Sequence, residues 1–208
     1  MSIVLYHHPF SRAANAVWML EEVGAPYELR FVDIMKGGHK APEILALSPM
    51  GKLPLLTDGD AVVTESAAIA LYLADRYAYG RLAPKVDDPG RAAYLRWSFF
   101  APSVIEPGLM AKSNGWTFKE SQAGWGAFDA MISAMESAVS GGDFILGKEL
   151  SMADVVFGGT VRYMLMFKML EPRPALSAYA ERLAARPALK RADEINAKIA
   201  AEHGLKMG

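Results

Sequence analysis

The 208-residue sequence contains no cysteine. This absence excludes disulfide bonds, a cysteine nucleophile, thiolate metal sites and redox cycling on the protein's own sulfur. Any thiol chemistry that the protein performs must therefore use a sulfur atom that a ligand brings to the site.

Long apolar runs and an excess of one charge are also missing. No apolar stretch approaches the length of a membrane span, and the first residues, MSIVLYHHPFSR, lack the basic start of a signal peptide. The 22 basic and 23 acidic residues are scattered and give a net charge of −1, which argues against a nucleic-acid partner. With 52% hydrophobic residues the composition is globular, and we expect the protein in the cytoplasm, away from membranes.

The first part of the chain predicts a small α/β layer. A strand at 3–6, a helix at 12–23 and a strand at 27–34 predict a right-handed βαβ unit with parallel strands. After one or two helical turns at 42–47, the apolar stretches LPLLT and AVV flank the turn dipeptide Asp58-Gly59, which predicts a hairpin. The apolar helix AAIALYLADRY follows.

The rest of the chain predicts helices alone. Residues 81–89 hold two prolines and an Asp-Asp pair and are typical of a linker, so we predict an α/β domain over 1–80 and an all-helical domain over 90–208. The first long helix should bend at Pro102 and Pro107, and Ser151 with Asp154 has the pattern of a capping box. Helices are expected over 91–112, 119–139, 151–170, 175–185 and 188–201.

Two features of the stretch 51–66 are hard to explain as scaffold alone. Pro54 opens a strand, where it has no N–H to donate, and this suits a strand start, an edge or a cis turn. Glu65 and Ser66 place a carboxylate, a hydroxyl and free backbone amides at a helix N-terminus, which favours a small ion carrying both charge signs. Both residues also have a plainer explanation, since serine commonly caps helices and glutamate favours the helix dipole.

Four segments together resemble the cytosolic glutathione transferases, with theta-like, serine-type features. They are LYHHPFSRAANAVWMLEE, SPMGKLPLL, TESAAIALYLADRY and SMADVVF, in the order and spacing of that family. The resemblance implies a thioredoxin-like βαβ-ββα domain followed by an all-helical domain. It also implies an enzyme that activates the thiol of bound glutathione, its co-substrate, for attack on a small hydrophobic electrophile without a metal.

The resemblance implies how the tripeptide is bound. With Pro54 cis, the backbone of Leu53 pairs with the cysteinyl unit as an added strand would. Ser66 takes the γ-glutamyl carboxylate and Glu65 the ammonium group. The candidates for the glycine carboxylate are His39, Lys40 and Lys52, although His39 and Lys40 equally suit a solvated polar loop. Arg12, beside the first helix, completes the glutathione-binding set.

Two hydroxyls compete to activate the thiol. Ser11 precedes the first helix and matches the activating serine of theta-like members, whereas Tyr6 ends the first strand, as the tyrosine of other classes does. A tyrosine that directly follows apolar strand residues belongs more often to the core, so Ser11 is preferred. Backbone amides, which do this work in some bacterial members, are the third alternative.

The second substrate is expected between the α/β layer and the helices. An aromatic and methionine stripe at helical spacing is more often core than pocket, so only some of its members should line the site. The candidates are Phe10, Phe99, Phe100, Val104, Trp116, Phe118, Met164 and Phe167. A glutathione-dependent isomerase, dehalogenase or ether-cleaving enzyme would share the tripeptide site, and a non-catalytic relative of the same fold is the remaining alternative.

The resemblance also implies a homodimer. Met50 falls where several classes carry an apolar residue that inserts into the partner subunit, and it equally suits a local lid over the hairpin. A metal pair at His7 and His8 is not expected, because adjacent residues of an extended segment point in opposite directions and no third ligand is near.

Overall fold

The structure is a computed structural model that describes residues 3–206. The chain divides into two compact units. The first comprises the residues up to Tyr77 together with those from Arg186 onward, and the second spans Ala78–Ala185. Within the described residues, no helix combines the length and the apolar character needed to cross a bilayer.

The first unit contains a four-stranded mixed sheet with helices. The strands lie in the order β2-β1-β3-β4, with β1 parallel to β2 and antiparallel to β3, and β3 antiparallel to β4. The elements are β1 (Ile3–His7), α1 (Ala13–Val23), β2 (Tyr27–Phe31), α2 (Pro42–Leu47), β3 (Leu55–Asp58), β4 (Ala61–Thr64) and α3 (Ser66–Tyr77). This βαβ-ββα order is the predicted thioredoxin-like arrangement.

The second unit is helical apart from isolated bridges. Its elements are α4 (Arg91–Phe100), a π-helical segment (Ala101–Ile105), α5 (Glu106–Ser113), α6 (Phe128–Val139), α7 (Met152–Met166) and α8 (Pro174–Ala184). Pro102, where a bend is predicted, lies in the π-helical segment, which interrupts the α-helix because a proline inside a helix removes one backbone donor. The last helix of the chain is α9 (Pro187–Glu202).

Three elements have different bounds in the structure than the sequence predicts. The second strand stops at Phe31 instead of 34, because the Asp33 carboxylate accepts the N–H groups of Met35 and Lys36 and makes a turn. The helix predicted from 119 begins only at Phe128, after a short 3₁₀ turn and a glycine at positive φ, Gly126. The helix predicted to reach 170 ends at Met166, followed by Lys168 in the left-handed region.

The final helix differs most from the prediction, because α9 belongs to the first unit, where it packs on α1. Arg186 donates to both carboxylate oxygens of Glu22 at 2.6 and 2.8 Å. Asn196 accepts a hydrogen bond from His7 Nε2 at 2.6 Å and donates to the Ala14 carbonyl at 3.2 Å. These polar bonds tie the chain end to β1 and α1, and no local sequence pattern encodes them.

Asp154 organises the start of α7 through the predicted capping box, which is present. Its carboxylate is fully buried and accepts from the Ser151 N–H at 2.9 Å, the Ser151 hydroxyl at 2.8 Å, the Ile145 N–H at 2.8 Å and the Tyr179 hydroxyl at 2.9 Å. Desolvation is the largest influence on this group and raises the pKa of Asp154, against the effect of these donors. The carboxylate therefore connects the helix start to a loop and to α8.

Replacing this carboxylate should destabilise the second unit. Asp154→Ala leaves buried donors of Ser151, Ile145 and Tyr179 without an acceptor, and each orphaned group costs about 1–3 kcal/mol. We expect the free energy of unfolding, measured by urea denaturation followed by circular dichroism, to fall by at least about 3 kcal/mol. The exposed Glu149→Ala is the control and should change it by less than about 0.5 kcal/mol; similar losses in both variants would contradict this role.

Candidate functional site

The strand register brings the predicted site segments to one end of the sheet. Tyr6 on β1 pairs with Leu55 on β3, and Leu55 pairs in turn with Thr64 on β4. Because β1 runs antiparallel to β3, the end of β1 lies beside the start of β3 and the end of β4. Three segments therefore emerge at one edge of the sheet, the edge where β1 and β4 end. They are the chain that leaves β1 toward Ser11, the approach to β3 at 53–54 and the residues that follow β4.

The approach to β3 contains the predicted cis peptide bond. The Leu53-Pro54 bond is cis, which confirms the prediction. Pro54 is buried, whereas Leu53 is half-buried and packs on the apolar cluster that includes Tyr6 and Leu55. No backbone hydrogen bond among residues 3–206 involves Leu53, so its N–H and C=O are available to an added strand.

Glu65 joins β4 to α3 in an unusual backbone conformation. Its φ is 68°, in the left-handed region that a non-glycine residue rarely adopts, at a cost of order 1–3 kcal/mol. Its carbonyl accepts the Ile69 N–H at 2.9 Å, so this residue begins the helical hydrogen bonding, and its side chain is exposed. Ser66 follows, half-buried, at a helix end whose first amides have no partner within the helix.

These two residues therefore bring a carboxylate, a hydroxyl and free N–H groups to one point. A ligand carboxylate would meet the hydroxyl and the positive end of the α3 dipole, and a ligand ammonium would meet Glu65. The left-handed conformation of Glu65 has no signal in the sequence, because residues in that region are most often glycine or asparagine.

His39, Lys40 and Gly51 lie against one another. Gly51 has φ +54°, and a Cβ there would come within 2.7 Å of the His39 carbonyl oxygen and 3.0 Å of the Lys40 side chain, so only glycine fits. Lys40 Nζ donates to the Met50 carbonyl at 2.9 Å, which occupies one of its three protons. His39 Nδ1 is buried without a hydrogen-bond partner among the described residues, and Lys52 is exposed.

Ser11 stands in the connection between β1 and α1. Its hydroxyl donates to the His8 carbonyl at 2.8 Å and accepts the Ala13 N–H, the first amide of α1, at 3.1 Å. The helix begins at Ala13, one residue later than predicted, so its N-cap residue is Arg12 and not Ser11, although the Ser11 oxygen still accepts the first helical amide. The His8 carbonyl also accepts the Ser11 N–H at 3.0 Å, so it keeps a partner when the hydroxyl rotates away.

The other hydroxyl candidate, Tyr6, is engaged elsewhere. Its ring is 8% exposed and belongs to an apolar cluster with Val32, Ile44 and Leu55. Its hydroxyl oxygen accepts a hydrogen bond from Arg30 on the neighbouring strand at 2.9 Å, and the guanidinium carbon lies 5.0 Å from the ring centroid. These contacts are those of a core residue with a satisfied polar tip, which is the plainer explanation of a tyrosine in this position.

The remaining predicted residues are placed separately in the two units. Arg12 is exposed beside Ser11, and Phe10 is half-buried in the same connection. In the second unit, Met164 is fully buried, which favours a core role for that residue, and Phe100 and Val104 are half-buried. Phe99, Trp116, Phe118 and Phe167 expose 47, 54, 38 and 45% of their surface.

The sequence did not predict that the His8 side chain accepts a hydrogen bond within the connection between β1 and α1. The ring of His8 is buried, and its Nδ1 accepts the Phe10 N–H at 3.1 Å. The sequence offered only a metal explanation for the His7-His8 pair, which it excluded. Among residues 3–206 no group of three histidine, aspartate or glutamate side chains is arranged to hold a metal ion.

Comparison with known proteins agrees with this geometry. Residues 1–75 match the family model of the glutathione S-transferase N-terminal domain, and residues 118–182 match that of the C-terminal domain. The chain is 30% identical to human glutathione S-transferase theta-2 over 202 residues, covering 89% of this chain and 82% of that protein. It is 27% identical to Arabidopsis thaliana glutathione S-transferase F10, covering 95% of this chain and 98% of that one.

A solved structure shares the same architecture. The glutathione transferase URE2P6 from Phanerochaete chrysosporium, in complex with oxidized glutathione, superposes with a TM-score of 0.79 at 28% identity, covering 95% of this chain and 97% of that one. The four-stranded sheet of the first unit and the helices of the second agree with these similarities. The chain belongs to the glutathione S-transferase family.

Proposed function

We propose that this chain binds glutathione at the edge of the sheet where β1 and β4 end, and that it stabilises the thiolate of the bound tripeptide for attack on a hydrophobic electrophile. The observation that carries the proposal is the register that brings Ser11, Leu53 and Ser66 to one edge. Because the reaction needs a reduced thiol, a reducing compartment such as the cytoplasm suits it.

The tripeptide matches the charges of this edge. Leu53 has backbone groups free to pair with the cysteinyl unit, Ser66 and the α3 amides suit the γ-glutamyl carboxylate, and Glu65 suits its ammonium. The glycine carboxylate would reach the group formed by His39, Lys40 and Lys52. Of these, His39 has a free ring nitrogen, whereas Lys40 already donates to the Met50 carbonyl.

Ser11 is the group we assign to thiol activation. Free cysteine has a pKa of about 8.5, and a hydroxyl hydrogen bond to the charged sulfur, at roughly 1.5–3 kcal/mol, lowers that by about one to two units. Turning the Ser11 proton from the neutral His8 carbonyl to a thiolate exchanges a neutral hydrogen bond for a charge-assisted one. The Ala13 N–H remains on the oxygen and keeps the hydroxyl in place.

The exposed aromatic side chains of the second unit suit an apolar second substrate. Phe99, Trp116, Phe118 and Phe167 provide surface that binds arenes and alkyl halides without charge. An isomerase, dehalogenase or ether-cleaving reaction would use the same thiolate and differ in the bond broken in the electrophile. Activity toward substrates with different leaving groups separates these possibilities.

A second candidate reaction is thiol–disulfide exchange. The chain has no cysteine, so both sulfur atoms must come from ligands, and the similar URE2P6 protein was solved with oxidized glutathione. The bound thiolate would attack a mixed disulfide of glutathione, forming the S–S bond of glutathione disulfide and releasing the other thiolate. Turnover of a glutathione mixed disulfide but not of a chloronitrobenzene would favour this candidate over the first.

The Ser66 hydroxyl should contribute to glutathione affinity. Loss of a hydrogen bond to a charged carboxylate is worth about 1.5–3 kcal/mol, so Ser66→Ala should raise the Kd for glutathione roughly ten- to a hundredfold by calorimetry. Cysteinylglycine, which lacks the γ-glutamyl unit, should bind both forms equally. Ser133→Ala, an exposed helix serine in the second unit, is the control; a Kd that Ser66→Ala leaves unchanged would overturn the proposed subsite.

Ser11→Ala should separate activation from binding. We expect turnover with a chloronitrobenzene substrate to fall roughly ten- to a hundredfold, while the Kd for glutathione stays nearly unchanged, and the absorbance of bound thiolate should titrate at higher pH. Tyr6→Phe should change neither the turnover nor the titration of the thiolate, because the Tyr6 hydroxyl accepts a hydrogen bond from Arg30. If Tyr6→Phe abolishes turnover while Ser11→Ala is silent, the tyrosine is the activating group.

A homodimer is the assembly that we propose. Met50 is 69% exposed on the first unit, directly before the Gly51 turn, and a flexible apolar side chain in such a position suits a pocket on a partner subunit. Light scattering at micromolar concentration should give twice the chain mass. Met50→Glu should shift the mass toward the monomer, and the equally exposed Val86→Glu in the second unit should not; a monomeric wild-type protein would refute the dimer.

A further inference from the structure

The His8 ring shapes the connection that carries Ser11. Its Nδ1 accepts the N–H of Phe10, two residues later, at 3.1 Å. This is the geometry by which an aspartate or asparagine side chain closes an Asx turn, with the imidazole nitrogen in place of the carboxamide oxygen. Because Nδ1 is the acceptor, the neutral ring must carry its proton on Nε2.

The backbone of His8 acts on the same segment. Its carbonyl accepts both the Ser11 N–H at 3.0 Å and the Ser11 hydroxyl at 2.8 Å. The ring and the carbonyl of one residue thus fix the backbone N–H groups of both Phe10 and Ser11. When the Ser11 hydroxyl turns toward a sulfur, these two N–H bonds hold the Ser11 backbone in position, while the Ala13 N–H holds the hydroxyl oxygen.

The surroundings of the ring favour its neutral form. The side chain is 0% exposed and lies against the rings of Phe10 and Phe31, with centroids 5.7 and 5.6 Å away. Burial lowers the pKa of His8 below its usual value of 6.5, and it outweighs the Asp33 carboxylate, which raises that pKa. His203 at the end of α9, stacked on Phe31, lowers it further.

Two neighbouring titratable groups shift the pKa of His8. Beyond β2, Asp33 favours the charged ring, and on the α9 side His203 disfavours it. Burial lowers the pKa of His7, the preceding residue, to about 4, so this ring is neutral at any pH above that value. Nε2 of His8 is buried and has no partner among the described residues, so no acceptor there stabilises an added positive charge.

We infer that His8 is a positioning residue whose neutral ring holds the Ser11 hydroxyl toward the thiol of bound glutathione, and whose protonation releases it. This inference rests on the proposed role of Ser11. A protonated ring has a hydrogen on Nδ1, which faces the Phe10 N–H, so two donors oppose each other and the turn opens. Turnover should therefore be lost on the acid side, as the pH falls below about 6.5 and His8 takes up a proton.

Two substitutions distinguish the loss of the Nδ1 hydrogen-bond acceptor from the loss of the imidazole ring as a whole. His8→Asn retains an acceptor for an N–H two residues later but does not titrate, whereas His8→Leu retains only apolar bulk. At pH 7.5 and saturating glutathione, we expect His8→Leu to lose about tenfold in kcat with an unchanged KM for glutathione. His8→Asn should retain most of the wild-type kcat. Equal losses in both variants, with matched falls in thermal stability, would show a merely structural role and overturn the inference.

The pH dependence gives the second readout. In wild-type protein without ligand, the ¹⁵N–¹H resonance of the Phe10 amide should move with a midpoint below pH 6.5, and in His8→Asn that titration should disappear. The acid loss of kcat should weaken in His8→Asn in the same range. His203→Asn, which removes the neighbouring imidazole alone, should keep both transitions and move their midpoint to higher pH.

The outcomes separate this inference from the proposed function. A Phe10 amide that does not titrate, or that titrates equally in His8→Asn, overturns the role of His8 whether or not the protein binds glutathione. If the amide titrates as expected but Ser11→Ala has normal turnover, the turn is real and the assignment of Ser11 fails. In that case His8 holds a segment without a catalytic hydroxyl, and the positioning role is rejected.

Discussion

The antiparallel pairing of β3 with β1 is the constraint on which the rest of the first unit depends. Through the register Tyr6–Leu55–Thr64, it aligns three strand ends that are far apart in the sequence. Every segment that we assign to the tripeptide leaves the sheet at that edge. A shift of one residue would exchange the sheet faces of Leu55 and Leu56 and separate the strand ends, so the packing on the two faces of the sheet and the geometry of the site are fixed together.

For the thiol and the γ-glutamyl carboxylate, the groups that we propose at that edge are backbone groups, helix ends and hydroxyls, without a charged side chain. Among residues 3–206 no backbone hydrogen bond involves Leu53, the first amides of α3 have no partner within that helix, and the Ser11 oxygen accepts the first amide of α1. Helix dipoles and oriented N–H groups stabilise anions without the desolvation cost of a buried cation. A chain without cysteine can in this way favour a thiolate that it does not itself supply.

The sequence predicted the elements because local signals control them: Asp58-Gly59 marks the hairpin, and Ser151 with Asp154 marks the start of α7. It predicted the cis Leu53-Pro54 bond for the same reason, whereas the N-cap predicted at Ser11 lies one residue later, at Arg12. It did not predict where α9 packs, because its bonds to α1 join residues more than 160 positions apart. It also missed the left-handed Glu65, since that conformation is typical of glycine or asparagine and not of glutamate.

The position of α9 matters for the connection that carries Ser11. Asn196 of this helix bonds the His7 ring at the end of β1 and the Ala14 carbonyl in the first turn of α1. The segment between those two points is therefore held at both ends by one side chain, while His8 fixes its middle. In the proposed site, a short connection restrained in this way loses little conformational entropy when the Ser11 hydroxyl donates a hydrogen bond to the ligand sulfur. Pre-organisation of the hydroxyl thus depends on a helix that the sequence places at the opposite end of the chain.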